Sequence, residues 1–159
     1  MLRVLTTGTF ALPGANHLAL FRAIKEMWPG CTLIVGLNSD RRCRELKWYA
    51  VLDLRERMAI IGACRDVDEV VSFDEDTPAE LIRGLKPDIF CKGGDWQQFA
   101  EELPEAVTCR EVGAQVEFVN TECPTHASDI AETIGRVYQR RYLLLPAALA
   151  EDVGLQATD

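Results

Sequence analysis

At 159 residues and 17.8 kDa the chain is sized for one domain, and two full cores with a linker do not fit in it. Its 48% hydrophobic and 26% charged residues, with no low-complexity block, exclude a disordered chain. The 17 Lys+Arg against 25 Asp+Glu leave a formal charge of -8, which speaks against nucleic-acid or membrane-surface partners and requires that basic groups meeting an anionic ligand be local.

Met1 to Thr6 runs straight into a strand pattern without the basic start and long apolar stretch of a signal peptide. Leu2 to Thr7 is short, apolar and β-branched, and predicts a buried strand that opens into a Gly/Pro-rich loop from Gly8 through Asn16. A helix is expected from about His17, with Leu18, Phe21, Ala23, Ile24 and Met27 at helical spacing and Pro29-Gly30 as its stop. Cys31 to Leu37 is a continuous apolar run, as in a strand covered on both faces. After a loop from Asn38 to Asp53, Asp53 and Glu56 form a capping-box pattern that opens a second helix carrying Met58, Ile60 and Ile61. Glu69 to Phe73 reads as a strand, and Thr77-Pro78-Ala79-Glu80 predicts another capped helix start. Asp88 to Lys92 reads as the fourth strand, ended by Gly93-Gly94, and Gln115 to Val119 as the fifth. Helices are expected over Gln97 to Val112 and Ala127 to Leu144, giving a domain over residues 1–145 and a tail over 146–159.

Strand and helix alternate, so the expected fold is α/β, a parallel five-stranded sheet with helices on both faces. Ligands of such sheets bind beyond the carboxyl ends of the strands, which directs attention to the loops Gly8 to Asn16, Asn38 to Asp53, Gly93 to Gln97 and Thr121 to Ser128. The six cysteines are widely spaced and form no CxxC pair, four of them beside apolar runs. They read as reduced, mostly buried thiols of a cytoplasmic protein. Two histidines, His17 and His126, do not suffice for a zinc cluster, and no metal-ligating set is expected.

The first loop, Gly8-Thr9-Phe10-Ala11-Leu12-Pro13-Gly14-Ala15-Asn16-His17, leads from strand to helix and can turn backbone N–H groups toward phosphate. It is neither a Walker A loop nor a GxGxxG fingerprint, and a plain glycine-containing connection with His17 as a polar cap fits it as well. Lys47 and Arg57 fit a phosphate site or a solvated basic face. Gly93-Gly94-Asp95 fits close backbone approach to a ligand or a tight turn with an Asx cap.

Taken in order, the first loop, Asn38-Ser39-Asp40, Leu46-Lys47, Arg55-Glu56-Arg57-Met58, the stretch Val70 to Pro78 and Lys92-Gly93-Gly94-Asp95-Trp96 form a series. The series resembles the cytidylyltransferase-like nucleotidyltransferases, most closely the adenylyltransferase domain of bacterial ADP-heptose synthases and more distantly glycerol-3-phosphate cytidylyltransferase, over roughly Val4 to Ile130. The resemblance implies a Rossmann-like nucleotidyltransferase fold and attack of a sugar phosphate on the α-phosphate of ATP, with release of pyrophosphate and with Mg2+ bridging phosphates. It implies a catalytic His17 and Lys47, and nucleotide contacts from Gly8, Thr9, Phe10, Arg57, Gly93, Gly94, Asp95 and Ser128. It also implies a homodimer.

The family loop reads G-T/C-F-D-x-x-H-x-G-H, and this chain has Ala11 for the aspartate, Gly14 for the first histidine and Asn16 for the glycine. These departures remove one phosphate donor and one carboxylate. A CTP-dependent enzyme for a polyol or phosphonate phosphate, and a nucleotide-binding protein with reduced or lost catalysis, are the alternatives. His126 is extra to the pattern and is either a surface residue or a partial replacement for the missing histidine.

Overall fold

The computed structural model describes residues 1–47, 51–121, 123 and 127–142 of the chain. It divides into two compact units, Met1–Pro124 and Thr125–Asp159. The first holds β1 (Arg3–Gly8), α1 (Ala15–Met27), β2 (Thr32–Asn38), α2 (Asp40–Lys47), α3 (Leu54–Gly62), β3 (Glu69–Phe73), α4 (Ala79–Leu85), β4 (Ile89–Gly93), a 3-10 segment (Gly94–Glu102), α5 (Pro104–Val112) and β5 (Gln115–Val119). The second contains α6 (Ala127–Tyr142), whose described residues Ile134 and Val137 are exposed. The expected tail lies outside the described residues.

All pairings are parallel and the strand order is β3-β2-β1-β4-β5. Period-two alternation distributes side chains to two cores. Val4, Leu33, Val35, Ile89 and Cys91 pack with Phe21, Ile24 and Ile61 on one face. Leu5, Ile34 and Phe90 pack with Ile82 and Cys109 on the other. Cys31, Cys43, Cys91 and Cys109 are buried and all six cysteines are free thiols.

The sheet and the five expected strands agree with the sequence reading, with bounds displaced by a residue or so. Three differences have physical causes. The loop from Asn38 to Asp53 contains α2, in which Cys43 is the only buried side chain among the described residues. A helix that is charged nearly all round has no apolar period to betray it. The helix expected over Gln97 to Val112 is instead a 3-10 segment followed by α5, because Pro104 lacks the N–H that a continuous helix needs and is accepted only at a first turn. Thr77 does not cap α4, where Pro78 holds the N-cap position with no side-chain bond. By contrast Asp53 and Glu56 form the reciprocal capping box of α3, at 2.9 Å in each direction.

Candidate nucleotide site

The chain winds from β1 outward to β2 and β3, then returns to place β4 on the opposite side of β1. The carboxyl ends of β1 and β4 therefore form the point where strand order reverses, the crevice in which sheets of this kind bind their ligands. The β1–α1 loop and Gly93-Gly94-Asp95 meet this crevice from its two sides.

On the β1 side the turn is made by Phe10, a non-glycine residue at φ 45°. That left-handed backbone costs ~1–2 kcal/mol, and packing holds it in place. The Phe10 ring is buried; it lies under Gly8, where an added Cβ would stand 3.1 Å from it, and meets the His17 ring edge-on at 5.0 Å. Gly14, extended at φ -147°, is the N-cap of α1, and its N–H donates to Nδ1 of His17 over 3.0 Å. An Nδ1 that accepts leaves the hydrogen of a neutral imidazole on Nε2, so the ring carries a donor there. The first turn of α1 has no acidic residue, and the amides of Ala15 and Asn16 have no preceding helical carbonyl to meet. Donors and the positive end of the helix thus coincide.

On the β4 side an added Cβ would be crowded at both glycines, against the backbone of Asn120 as well as its side chain at Gly94 but only against a side-chain end at Gly93. A Cβ at Gly94 would lie 1.7 Å from Oδ1 of Asn120, just beyond β5, and one at Gly93 would lie 2.7 Å from Oδ1 of Asp95. Beside them Nζ of Lys92 lies 2.9 Å from Oε1 of Glu105, with both side chains largely buried, and 4.3 Å from the centre of the half-exposed Trp96 ring.

Arg57 is the largest departure from the sequence reading. Read as a group that meets phosphate or solvent, it is fully buried. Its Nη1 donates to the carbonyls of Thr9 (2.6 Å) and Asn38 (2.9 Å), and its Nη2 to Oδ1 of Asp40 (2.7 Å). Burial of the Asp40 carboxyl pushes its pKa up, but the Arg57 hydrogen bond, the Leu54 N–H and the Arg57 and Arg44 charges outweigh it, and the group is held below its ordinary value. A guanidinium fork suits this task because two parallel strands end side by side in outward-facing carbonyls.

The sequence reading missed Glu105 and Asn120, and it placed Lys92 and Asp40 in its motif series without giving their side chains a role. Lys92 carried a signal: two residues after Phe90 on a buried strand, it shares the α4 and α5 face and needs a carboxylate there. Lys47 ends α2 and Ser128 lies in the first turn of α6, but their side chains, and all of His126, fall outside the described residues. Ala11 is buried.

An open hollow of about 400 Å³ lies at the ends of β2 and β3, lined by Ser39, Ser72 and Phe73 and by Asp74, Glu75 and Glu80. Its carboxylates repel a triphosphate. Arg41 holds Asp74 with an Nη2–Oδ2 separation of 3.3 Å, so this corner joins α2 to the β3–α4 loop. Among the described residues no group of three or more His, Cys, Asp or Glu is placed to hold a metal ion, and no helix is long and apolar enough to cross a membrane.

A five-stranded parallel sheet of this order with an amide-rich helix start at its reversal point defines a nucleotidyltransferase-like α/β domain, and the chain belongs to the Cytidylyltransferase-like family, matched over residues 5–140. Its relatives include the bifunctional protein HldE of Citrobacter koseri, 37% identical over 133 residues, and that of Salmonella arizonae, 36% identical over the same length. Each alignment takes in 82% of this chain but 27% of the relative, so the chain spans about a quarter of the length of these proteins. Among solved structures it is similar to the lipopolysaccharide core biosynthesis protein from Thermoplasma volcanium GSS1, with a TM-score of 0.64 and 25% identity, covering 79% of this chain and 99% of that one.

Proposed function

We propose that this chain transfers an adenylyl group from ATP to a sugar phosphate. An oxygen of the acceptor phosphate attacks the α-phosphorus, the bond from that phosphorus to the oxygen shared with the β-phosphate breaks, and pyrophosphate leaves with the electron pair. The observation that carries this reading is the start of α1 at the strand-order reversal, where the Gly14 N–H occupies Nδ1 of His17 and so makes Nε2 the donor of the neutral ring. Negative charge grows on the non-bridging α-phosphate oxygens and on the leaving pyrophosphate. The first-turn amides and Nε2–H of His17 offset it, in the manner of a preorganised oxyanion site.

Lys47 would meet the outer phosphates. Gly8, Thr9 and Phe10 would shape the floor beneath the α-phosphate. Gly93 and Gly94 would let the nucleotide approach the backbone, with Asp95 bonding ribose or base. Magnesium would enter with ATP as the counter-ion of its phosphates. Six free thiols agree with a cytoplasmic setting.

The decisive experiment is pyrophosphate release from ATP and from CTP, each with magnesium, across a panel of sugar 1-phosphates. Release that requires both ATP and a sugar phosphate is expected. Release with CTP alone would move the chain to the cytidylyltransferases. Nucleotide binding by calorimetry without turnover would make it a binding protein, and no binding of either nucleotide by a folded sample would remove both readings.

A further inference from the structure

Arg57 sits on the first turn of α3, yet all its partners lie elsewhere: Thr9 in the β1–α1 loop, Asn38 at the end of β2 and Asp40 at the start of α2. Gly8 and Leu37 stand opposite each other in the β1–β2 register, so the two carbonyls that Nη1 bridges belong to adjoining strand ends. The Thr9 carbonyl begins the peptide that enters Phe10, the residue in left-handed backbone whose ring abuts His17. A rotation of that peptide would carry the Phe10 ring, and with it the wall against which the imidazole rests.

We infer that Arg57 is a positioning residue: through the Thr9 carbonyl it holds the Phe10 turn, and so His17, in the arrangement that presents Nε2 to the α-phosphate, while Asp40 holds the guanidinium. The inference rests on the proposed role of His17. It removes Arg57 from the groups that touch the triphosphate, because a guanidinium with no exposed surface and three protein oxygens has no room for one. Lysine cannot substitute, since a single ammonium on a flexible stem lacks the planar fork that reaches two carbonyls and a carboxylate together.

The test compares Arg57→Lys and Asp40→Asn with the wild-type chain in three measurements: the thermal midpoint, steady-state pyrophosphate release, and the His17 tautomer from imidazole 15N–1H couplings, assigned against a His126→Gln control. In folded Arg57→Lys, kcat should fall about tenfold or more while KM for the nucleotide stays within about threefold, as for a misplaced rather than missing catalytic group. The population with hydrogen on Nδ1 of His17 should rise. Asp40→Asn keeps the guanidinium and should show the same changes to a smaller degree; it decides the matter if Arg57→Lys does not fold. An unchanged tautomer with unchanged kcat in a folded variant overturns the inference, and so does a tenfold rise in KM at constant kcat, which would mean direct contact with the phosphates. If the wild-type chain turns over no substrate, the proposed function fails, and the tautomer measurement still decides whether Arg57 positions His17.

Discussion

Single atoms decide the two glycine positions beside the crevice. The Cβ of Gly93→Ala would meet only the far end of the Asp95 side chain, which can swing aside. This variant should fold with a midpoint near wild type and lose nucleotide affinity by about as much as Asp95→Ala, as calorimetry on the two would show. Gly94→Ala meets both the side chain and the backbone Cα of Asn120, at 1.7 and 3.3 Å, and should lower stability by about 1–3 kcal/mol in urea unfolding. Lys92 and Glu105 provide a second residue-scale prediction. Lys92→Met strands a buried carboxylate whose Oε2 has no hydrogen-bond partner, so it should cost about 3–5 kcal/mol, whereas adding Glu105→Leu should restore most of that loss. A double variant as unstable as the single one would show that the pair serves packing rather than charge balance.

Helix starts connect element-scale stability to the site. The Asp53 cap secures the first turn of α3, and that turn carries Arg57. Asp53→Ala should therefore cost about 1 kcal/mol in the unfolding midpoint and also lower turnover, with little change in nucleotide KM. A stability loss with no change in kcat would separate the cap from the clamp. At the start of α1, Gly14 replaces the family's first histidine. Its extended backbone accepts any residue, and its N–H still reaches His17. Gly14→His should raise pyrophosphate release by roughly tenfold or more, since one donor at a developing phosphate charge is worth about 2–4 kcal/mol. Pairing it with Ala11→Asp is inadvisable because Ala11 is buried and an aspartate there would be forced into the core.

The whole molecule should lose stability at both ends of the pH scale. Burial raises the Asp68 pKa, but the Lys25 ammonium at 2.5 Å and the Leu33 N–H bring it below its ordinary value, so this carboxylate binds protons less readily folded than unfolded. Its contribution is present above the unfolded pKa and is lost as pH falls through the lower folded one. Asp40 behaves likewise, so acid should loosen the β3 edge and the Arg57 clamp together. At the alkaline end, burial pushes the Cys91 thiol up to about 12 and the Cys109 thiol to about 11. Their contribution is full below the unfolded value near 9 and fades as pH climbs from there toward 11–12. Urea midpoints measured from pH 3 to 11 should trace a plateau with both flanks falling. In native protein Cys91 and Cys109 should resist alkylation at pH 8, and rapid labelling of either would mean that the sheet opens locally.

The alternation of short apolar runs with capped, amphipathic segments was enough to specify a parallel α/β sheet, because strand period and helix period are local properties of the chain. The same holds for the α1 start and the paired glycines at the end of β4, whose backbone chemistry is written in adjacent residues. Arg57 was not legible in this way. In sequence it is one of several basic residues on a helix start, and only the side-by-side arrangement of the β1 and β2 ends creates the carbonyl pair that draws it inward. Lys92 and Glu105 are thirteen positions apart and become partners only when α5 folds back over β4. Local periodicity thus determined which elements form, whereas the desolvation of charges at strand ends, which depends on what packs beside them, decided which basic groups support the site and which remain to meet a ligand.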